Sequence, residues 1–277
     1  MNVVKAKLSH KAFIIQSIQP FSFEYINTNI RIYKKEECLM IELVGRKKEN
    51  GLLKVFLKLY DLLFLMLGAY PIRCSLSYNE KEIDTSKWVI RYTTANHFIE
   101  QEAAFCDITA ENINSKSLID IDNIHKQSIA SISYIISEYY EHVVTNHKIE
   151  LITHTIDGIF MHSIYYKELG TTKKKFYKTI SDTRNDFSHL LGKKKNRLIS
   201  GKDMVYYIDL IFIAERLFVL DEMLKLKLNE RMIQEYMYIM HDWIDELVNK
   251  RADRIKSKRY TNIQKVNLIE KKLGLTE

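Results

Sequence analysis

The sequence has few of the residues that interrupt regular structure, with eight glycines and two prolines among 277 residues. Because glycine and proline mark turns and loops, their scarcity argues against a loop-rich all-β protein and against long flexible linkers. The three cysteines, Cys38, Cys74 and Cys106, are odd in number and widely spaced, and no CxxC pair occurs. This spacing indicates neither a disulfide framework nor a cysteine-based zinc site.

Signals for export and for membrane insertion are also missing. The first ten residues, MNVVKAKLSH, lack the apolar segment of a signal peptide. The most apolar run, Leu52 to Tyr70, contains Lys54, Lys58 and Asp61, so we do not expect it to span a bilayer. The sequence therefore predicts a cytoplasmic protein.

Common cofactor and hydrolase motifs do not occur. The chain contains no G-x-x-x-x-G-K-[ST], G-x-G-x-x-G or G-x-S-x-G sequence. His147, His154 and His162 could share one helix face, but without an HExxH motif or an acidic companion they are more typical of surface or packing histidines. We expect neither a cofactor nor a metal.

Composition is that of an ordinary globular protein, with 46% hydrophobic and 28% charged residues. The formal net charge is +7 and the isoelectric point is about 9.0. A basic balance suits a polyanionic partner, either nucleic acid or an anionic membrane surface, and does not decide between them.

Hydrophobic periodicity divides the chain into two parts. The first hundred residues show short β-rich runs at Ala12–Ile18, Asn29–Tyr33, Cys38–Val44, Ile72–Tyr78 and Lys87–Tyr92, with a helix predicted over residues 51–71. From about residue 110 the pattern predicts five helices, four of them over Ile149–Lys167, Lys173–Leu191, Lys202–Leu226 and Asn229–Lys250. We expect an α+β protein, with a smaller mixed α/β N-terminal domain over 1–109 and an all-α helical bundle over 110–277.

Positive charge is concentrated in one segment. Between Lys167 and Lys202 there are eleven basic and three acidic residues, a local excess of +8 against +7 for the whole chain. The residues that we predict to contact RNA phosphates are Lys173, Lys174, Lys175, Lys178, Lys193, Lys194, Lys195 and Arg197. Lysine runs more often solvate the ends of helices, and that reading stays open.

The same segment contains Arg184-Asn185-Asp186-Phe187-Ser188-His189. This R-x4-H pattern resembles the HEPN superfamily of nucleases, and the wider phrase from Asp182 to His189 is most similar to Apea-like HEPN proteins of bacterial anti-phage defence. The resemblance covers roughly residues 110–250. It implies a HEPN-like helical bundle, a metal-independent endoribonuclease and a homodimer with a composite active site.

The residue types suit RNA cleavage without a metal, because RNA carries its own nucleophile, the 2′-OH. His189 supplies an imidazole, the one common side-chain type suited to proton transfer near neutral pH, and Arg184 can hold a phosphate through two hydrogen bonds. Asn185 lies one helical turn before His189 and can position the phosphate or the imidazole, and Asp182 can orient either group. We therefore predict Arg184, His189, Asn185 and Asp182 as catalytic residues.

Helical geometry limits how Arg184 and His189 can reach one phosphate. Five positions on a straight helix leave Arg184 and His189 about 140° apart, since each residue turns the helix by about 100°. One straight helix would not aim both groups at one phosphate, whereas the long reach of the arginine, a distorted helix or two motifs meeting across a dimer would. The resemblance to HEPN nucleases favours the dimer. Two Lys193–Lys195 clusters would then flank an RNA groove, and DNA, which lacks the 2′-OH, would be a poor substrate.

Two other interpretations remain. His189 precedes Gly192 and is also typical of a histidine that caps the end of a helix. The chain would then be a non-catalytic helical module that binds RNA or a protein partner. The second interpretation is an interaction scaffold for another defence protein, in which the lysines only keep the protein soluble. By its resemblance, the favoured interpretation is an abortive-infection effector or toxin, whose N-terminal domain senses a trigger or restrains the nuclease. The expected partners are a phage-derived trigger or another defence protein.

Overall fold

The computed structural model describes residues 1–67, 71–83, 104–126, 216 and 219–229. Its strands are β1 (Asn2–Ser9), β2 (Phe21–Tyr25), β3 (Thr28–Lys35), β4 (Cys38–Gly45), β5 (Ile72–Tyr78) and β6 (Lys81–Glu82). They form one antiparallel sheet in the order β2-β3-β4-β1-β5-β6. The α-helices of the described part are α1 (Lys11–Ile15), α2 (Glu49–Leu67) and α3 (Ser115–Lys126).

Strands β1, β3 and β4 alternate between buried and more accessible residues over most of their length, as expected for a sheet with one covered face. On β3, Thr28, Ile30 and Ile32 are buried, whereas Asn29 and Arg31 are exposed. Strand β1 likewise buries Val4, Ala6 and Leu8. Helix α2 contacts β1, β4 and α3, and twelve of its nineteen residues are buried. The burial expected from its apolar character is confirmed.

Tight turns hold the β2–β3–β4 part of the sheet together. Ile26 and Asn27 connect β2 to β3 with φ values of 46° and 57°, the left-handed conformation that a two-residue hairpin turn requires. Gly45, at the end of β4, lies against this turn. A Cβ atom at Gly45 would lie 3.1 Å from the carbonyl oxygen of Asn27. The close approach therefore favours a residue without a side chain.

A distant segment of the chain joins the sheet unit through backbone contacts. Leu228 forms an antiparallel bridge with Cys106, and the N–H of Asn229 donates to the carbonyl of Phe105 at 2.8 Å. The buried Asn112 side chain donates to the carbonyl of Lys227 at 3.1 Å and accepts from its N–H at 2.7 Å. These contacts fix residues 227–229 against residues 105–112.

The chain forms two compact units. The first comprises Met1–Glu141 together with Met223–Asn229, and the second comprises His142–Glu222 together with Glu230–Glu277. Within the described parts of both units, no helix combines the length and the apolar composition needed to cross a membrane.

The predicted fold class, a smaller mixed α/β N-terminal domain followed by an all-α HEPN-like bundle, is wrong. The described residues form an antiparallel six-stranded sheet with a few helices, and they include no helical bundle. Helix α3, where the helical domain was expected to begin, packs against α2 and β2 of the sheet unit. Most of the helix predicted over Lys202–Leu226 lies outside the described residues. At its end, a π-helical turn at Val219–Met223 leads into a non-helical segment whose Leu228 pairs with Cys106. Helical periodicity reports an apolar face, but not the element that covers it.

The N-terminal elements are partly as predicted. Strands β3, β4 and β5 and helix α2 confirm four predicted elements. The strand predicted over Ala12–Ile18 is wrong, because α1 occupies its first half. The His10 side chain accepts a hydrogen bond from the Ala12 N–H at 3.1 Å and so caps this helix. The strand predicted over Lys87–Tyr92 lies outside the described residues.

Candidate functional site

A pocket of about 660 Å³ opens at the end of the sheet where β4 ends. The residues that line it are Met1, Glu24, Asn27, Asn29, Val44, Gly45, Arg46 and Lys47. Glu24, Asn29 and Val44 are neighbours across β2, β3 and β4 in the strand register. The tight β2–β3 turn and its close approach to Gly45 thus bring the lining residues of three strands to one place.

Lys47 is the more buried of the two cations that line the pocket. Its ammonium group donates to the hydroxyl of the buried Thr28 at 3.3 Å, and its carbonyl accepts from the Asn2 amide at 2.9 Å. Burial and the nearby charge of Lys58 lower the pKa of Lys47. Among the residues described, no carboxylate lies within ion-pair distance of Lys47.

Close enough to Lys47 to affect its pKa, Lys58 of α2 is held in a polar cluster. Its ammonium group donates to the Asp122 carboxylate at 2.5 Å and to the Tyr25 hydroxyl at 3.1 Å. Burial lowers the pKa of Lys58, but the hydrogen bonds and charges of Asp122 and Tyr25 outweigh this effect and raise it. Lys58 therefore stays charged and links α2 to α3 and β2.

The two lysines differ in what they can do chemically. The charge of Lys58 is matched within the fold by Asp122. Arg46 lines the pocket, is exposed and forms no ion pair with a described residue, whereas the Lys47 ammonium group is bound to the hydroxyl of the buried Thr28. This arrangement suits the binding of an anion. Within the described ranges, no group of three or more His, Cys, Asp or Glu side chains is placed to hold a metal ion.

The site residues predicted from the sequence all lie outside the described residues. They are the catalytic candidates Asp182, Arg184, Asn185 and His189 and the RNA-binding candidates Lys173, Lys174, Lys175, Lys178, Lys193, Lys194, Lys195 and Arg197. The same holds for His147, His154 and His162. Their roles stay predictions.

The sequence did not identify the pocket or the Lys58 cluster, although it contains one signal for the cluster. Lys58 is a cation within a helix that is apolar on nearly every side, and such a residue needs a partner when it is buried. The pattern does not name that partner, because Asp122 is 64 positions away in the chain. For Arg46 and Lys47, which follow a strand like any solvated loop residues, the sequence contains no comparable signal.

The chain matches no protein-family model, no curated protein and no solved structure. Functional proposals therefore depend on the chemistry of this chain's own residues.

Proposed function

We propose that this protein is an endoribonuclease that cleaves RNA without a metal ion, with Arg184 and His189 at its active site. The observation that supports the proposal is the position of the R-x4-H sequence inside the most basic segment of the chain. That segment, residues 167–202, carries an excess of +8, so the remainder of the chain is close to neutral. A localised positive charge is what phosphate contacts require.

Each proposed catalytic residue has a chemical role. His189 transfers the proton of the 2′-OH or of the leaving oxygen, since imidazole titrates near neutral pH. Arg184 binds the scissile phosphate and stabilises the charge that develops on its oxygens. Asn185 and Asp182 position these two groups. The products carry a 2′,3′-cyclic phosphate and a 5′-OH.

RNA binding and assembly complete the proposal. The lysines at 173–175, 178 and 193–195 and Arg197 hold the RNA backbone, and two chains contribute their motifs to one composite site. The protein acts in the cytoplasm as a defence effector or toxin, and a phage-derived trigger or a partner protein controls it. This biological role follows from the resemblance of residues 182–189 to the HEPN proteins of anti-phage defence.

Cleavage of total RNA in excess EDTA tests the proposal. The purified full chain is compared with Arg184→Ala, with His189→Ala, and with His162→Ala as a matched histidine control. We expect the wild type and His162→Ala to cut RNA, and both motif variants to lose at least about 100-fold in rate, the usual contribution of a proton-transfer group. A thermal unfolding curve for each variant separates lost chemistry from lost folding.

Other outcomes separate the proposal from its alternative. Cutting by both motif variants at the wild-type rate would exclude Arg184 and His189 as catalytic residues. Binding of RNA with no cutting by the wild type would favour a non-catalytic RNA-binding module. A DNA strand of the same sequence should remain intact, because it has no 2′-OH.

A further inference from the structure

The pocket at the end of β4 has cations on one side and a carboxylate on the other. Arg46 and Lys47 follow β4, Glu24 lies on β2, and β3 runs between them with Asn29. Since neighbouring strands lie about 4.8 Å apart, about 10 Å separate the backbones that carry the two kinds of charge. This spacing suits an elongated ligand with an anionic group at one end and hydroxyl groups at the other.

Neither Arg46 nor Lys47 forms an ion pair with a carboxylate of the described residues. Lys47 donates to the Thr28 hydroxyl, and Arg46, which is exposed, forms no ion pair with any described residue. Burial and the charge of Lys58 make the ammonium form of Lys47 costly, which its lowered pKa reflects. Because the Lys47 ammonium group is bound to the buried Thr28 hydroxyl, Arg46 is the cation that can bind an anion in the pocket.

We propose that this pocket binds a nucleoside phosphate. Arg46 holds the phosphate, since a guanidinium can bind two phosphate oxygens. Glu24 accepts hydrogen bonds from sugar hydroxyls. Asn27 and Asn29 each offer a donor and an acceptor, the combination that the polar edge of a base needs.

The size of the pocket supports a ligand larger than inorganic phosphate. Its volume of about 660 Å³ falls inside the range of about 300–1,000 Å³ that is typical of small-molecule and cofactor sites. Val44 and Met1 add apolar surface to the polar lining. A nucleotide, with both a flat apolar face and polar groups, suits this mixture.

This inference does not depend on the proposed nuclease activity. Its residues lie between positions 24 and 47, whereas the proposed catalytic segment spans residues 167–202. Each proposal can therefore fail while the other stands.

Calorimetric titration of the full chain with the four nucleoside 5′-monophosphates tests the inference, with the free nucleosides and inorganic phosphate as matched ligands. We expect at least one nucleotide to bind more tightly than its nucleoside and than phosphate. Arg46→Ala should weaken this binding by about tenfold or more, the value of one charge-assisted hydrogen bond. Lys35→Ala removes an exposed lysine at the other end of β3 and should leave the affinity unchanged within about twofold.

A second variant and a footprint locate the ligand. Glu24→Gln should weaken nucleotide binding while inorganic phosphate binds as before or more tightly, because a repelling charge has been removed. Hydrogen exchange should slow on nucleotide binding at residues 24–29 and 44–47. Unchanged thermal unfolding of Arg46→Ala would show that its effect is local.

Several results would overturn the inference. These are the absence of binding by any nucleotide, equal weakening by Arg46→Ala and Lys35→Ala, and protection confined to residues 167–202. Binding of RNA oligonucleotides but of no mononucleotide, lost in Arg46→Ala, would instead identify the pocket as part of an RNA surface.

Discussion

Lys58 and Asp122, which are 64 positions apart in the chain, form an ion pair that joins helices α2 and α3. Both side chains are about three-quarters buried, with exposed fractions of 25% and 22%. The same ammonium group also binds the hydroxyl of Tyr25 at the end of β2. One cation therefore connects α2, α3 and the sheet, and its partners keep it charged inside the fold.

Replacing Lys58 should destabilise the protein more than replacing an exposed lysine of the same helix. Lys58→Met leaves the Asp122 carboxylate without this cation, and we expect a loss of about 2 kcal/mol in the free energy of unfolding. Lys54→Met is the matched control, because Lys54 is exposed on α2. Urea denaturation at neutral pH measures both, and equal losses would contradict a stabilising role for the pair.

The contribution of Lys58 should also depend on pH in a defined direction. The pKa of Lys58 in the folded protein is raised above its ordinary value of 10.5. Its stabilisation is therefore fully present below about pH 10 and is lost as pH rises through the raised folded pKa. The stability difference between the wild type and Lys58→Met should stay constant from neutral pH to about pH 9 and shrink above pH 10.5. A difference that grows with pH would contradict this assignment.

Asn112 should be required for the attachment of residues 227–229. Its buried side chain donates to the carbonyls of Asp107 and Lys227 and accepts from the Lys227 N–H. Asn112→Ala leaves these backbone groups without their partner, so we expect a loss of about 1–3 kcal/mol and faster hydrogen exchange at Lys227. Glu111→Ala, which removes an ion pair between two exposed side chains, controls for changes in this segment and should be nearly neutral. Similar losses from the two variants would be contrary to the prediction.

The sequence predicts those elements whose signal is local. Strand β3 alternates apolar and polar residues over most of its length, β4 is a short, almost entirely apolar run, and α2 is a long apolar run between polar boundaries. Helix α1 was missed because its five residues, KAFII, resemble a strand in composition, and its ends depend on other residues. His10 caps its beginning, and the Lys34 ammonium group, from β3, donates to the carbonyls of Ile14 and Gln16 at its end. Strand β1 went unpredicted although Val4, Ala6 and Leu8 alternate with Lys5 and Lys7.

The features that the sequence did not predict depend on contacts between residues far apart in the chain. The sheet order places β1 between β4 and β5, and α3 covers α2, but periodicity alone does not specify these neighbours. The pocket depends on strand register, since Glu24, Asn29 and Val44 become neighbours only when β2, β3 and β4 pair as they do. The R-x4-H motif differs from these long-range features, because its residues are close together in the chain and can be read directly from the sequence.

Core packing along α2 should dominate the stability of the sheet unit. Leu63 is fully buried, whereas Ile15 at the end of α1 is 72% exposed. Leu63→Ala removes buried methyl groups and leaves a cavity, so we expect a loss of about 2–5 kcal/mol. Ile15→Ala makes the same kind of truncation at the surface and should cost less than about 0.5 kcal/mol. Urea denaturation distinguishes the two, and a small effect of Leu63→Ala would mean that this part of α2 is not a packed core.

The three cysteines should react with a maleimide at very different rates. Cys74 is exposed, whereas Cys38 and Cys106 are buried. Burial raises the pKa of the Cys38 thiol, and the neighbouring Cys74 raises it further. Because the thiolate is the reacting form, Cys38 combines poor access with a low thiolate fraction. Brief labelling near neutral pH, followed by peptide mass spectrometry, should find Cys74 modified at least about tenfold faster than the other two.

Unfolding and one substitution provide the controls for this experiment. In concentrated urea all three thiols should react at similar rates, since burial is lost. In native Cys74→Ser, labelling should fall to the slow background of Cys38 and Cys106, and Cys38 should stay slow because burial is the larger cause of its raised pKa. Rapid labelling of Cys38 in the native wild type or in native Cys74→Ser would mean that the beginning of β4 opens readily. This result would contradict the burial of Cys38.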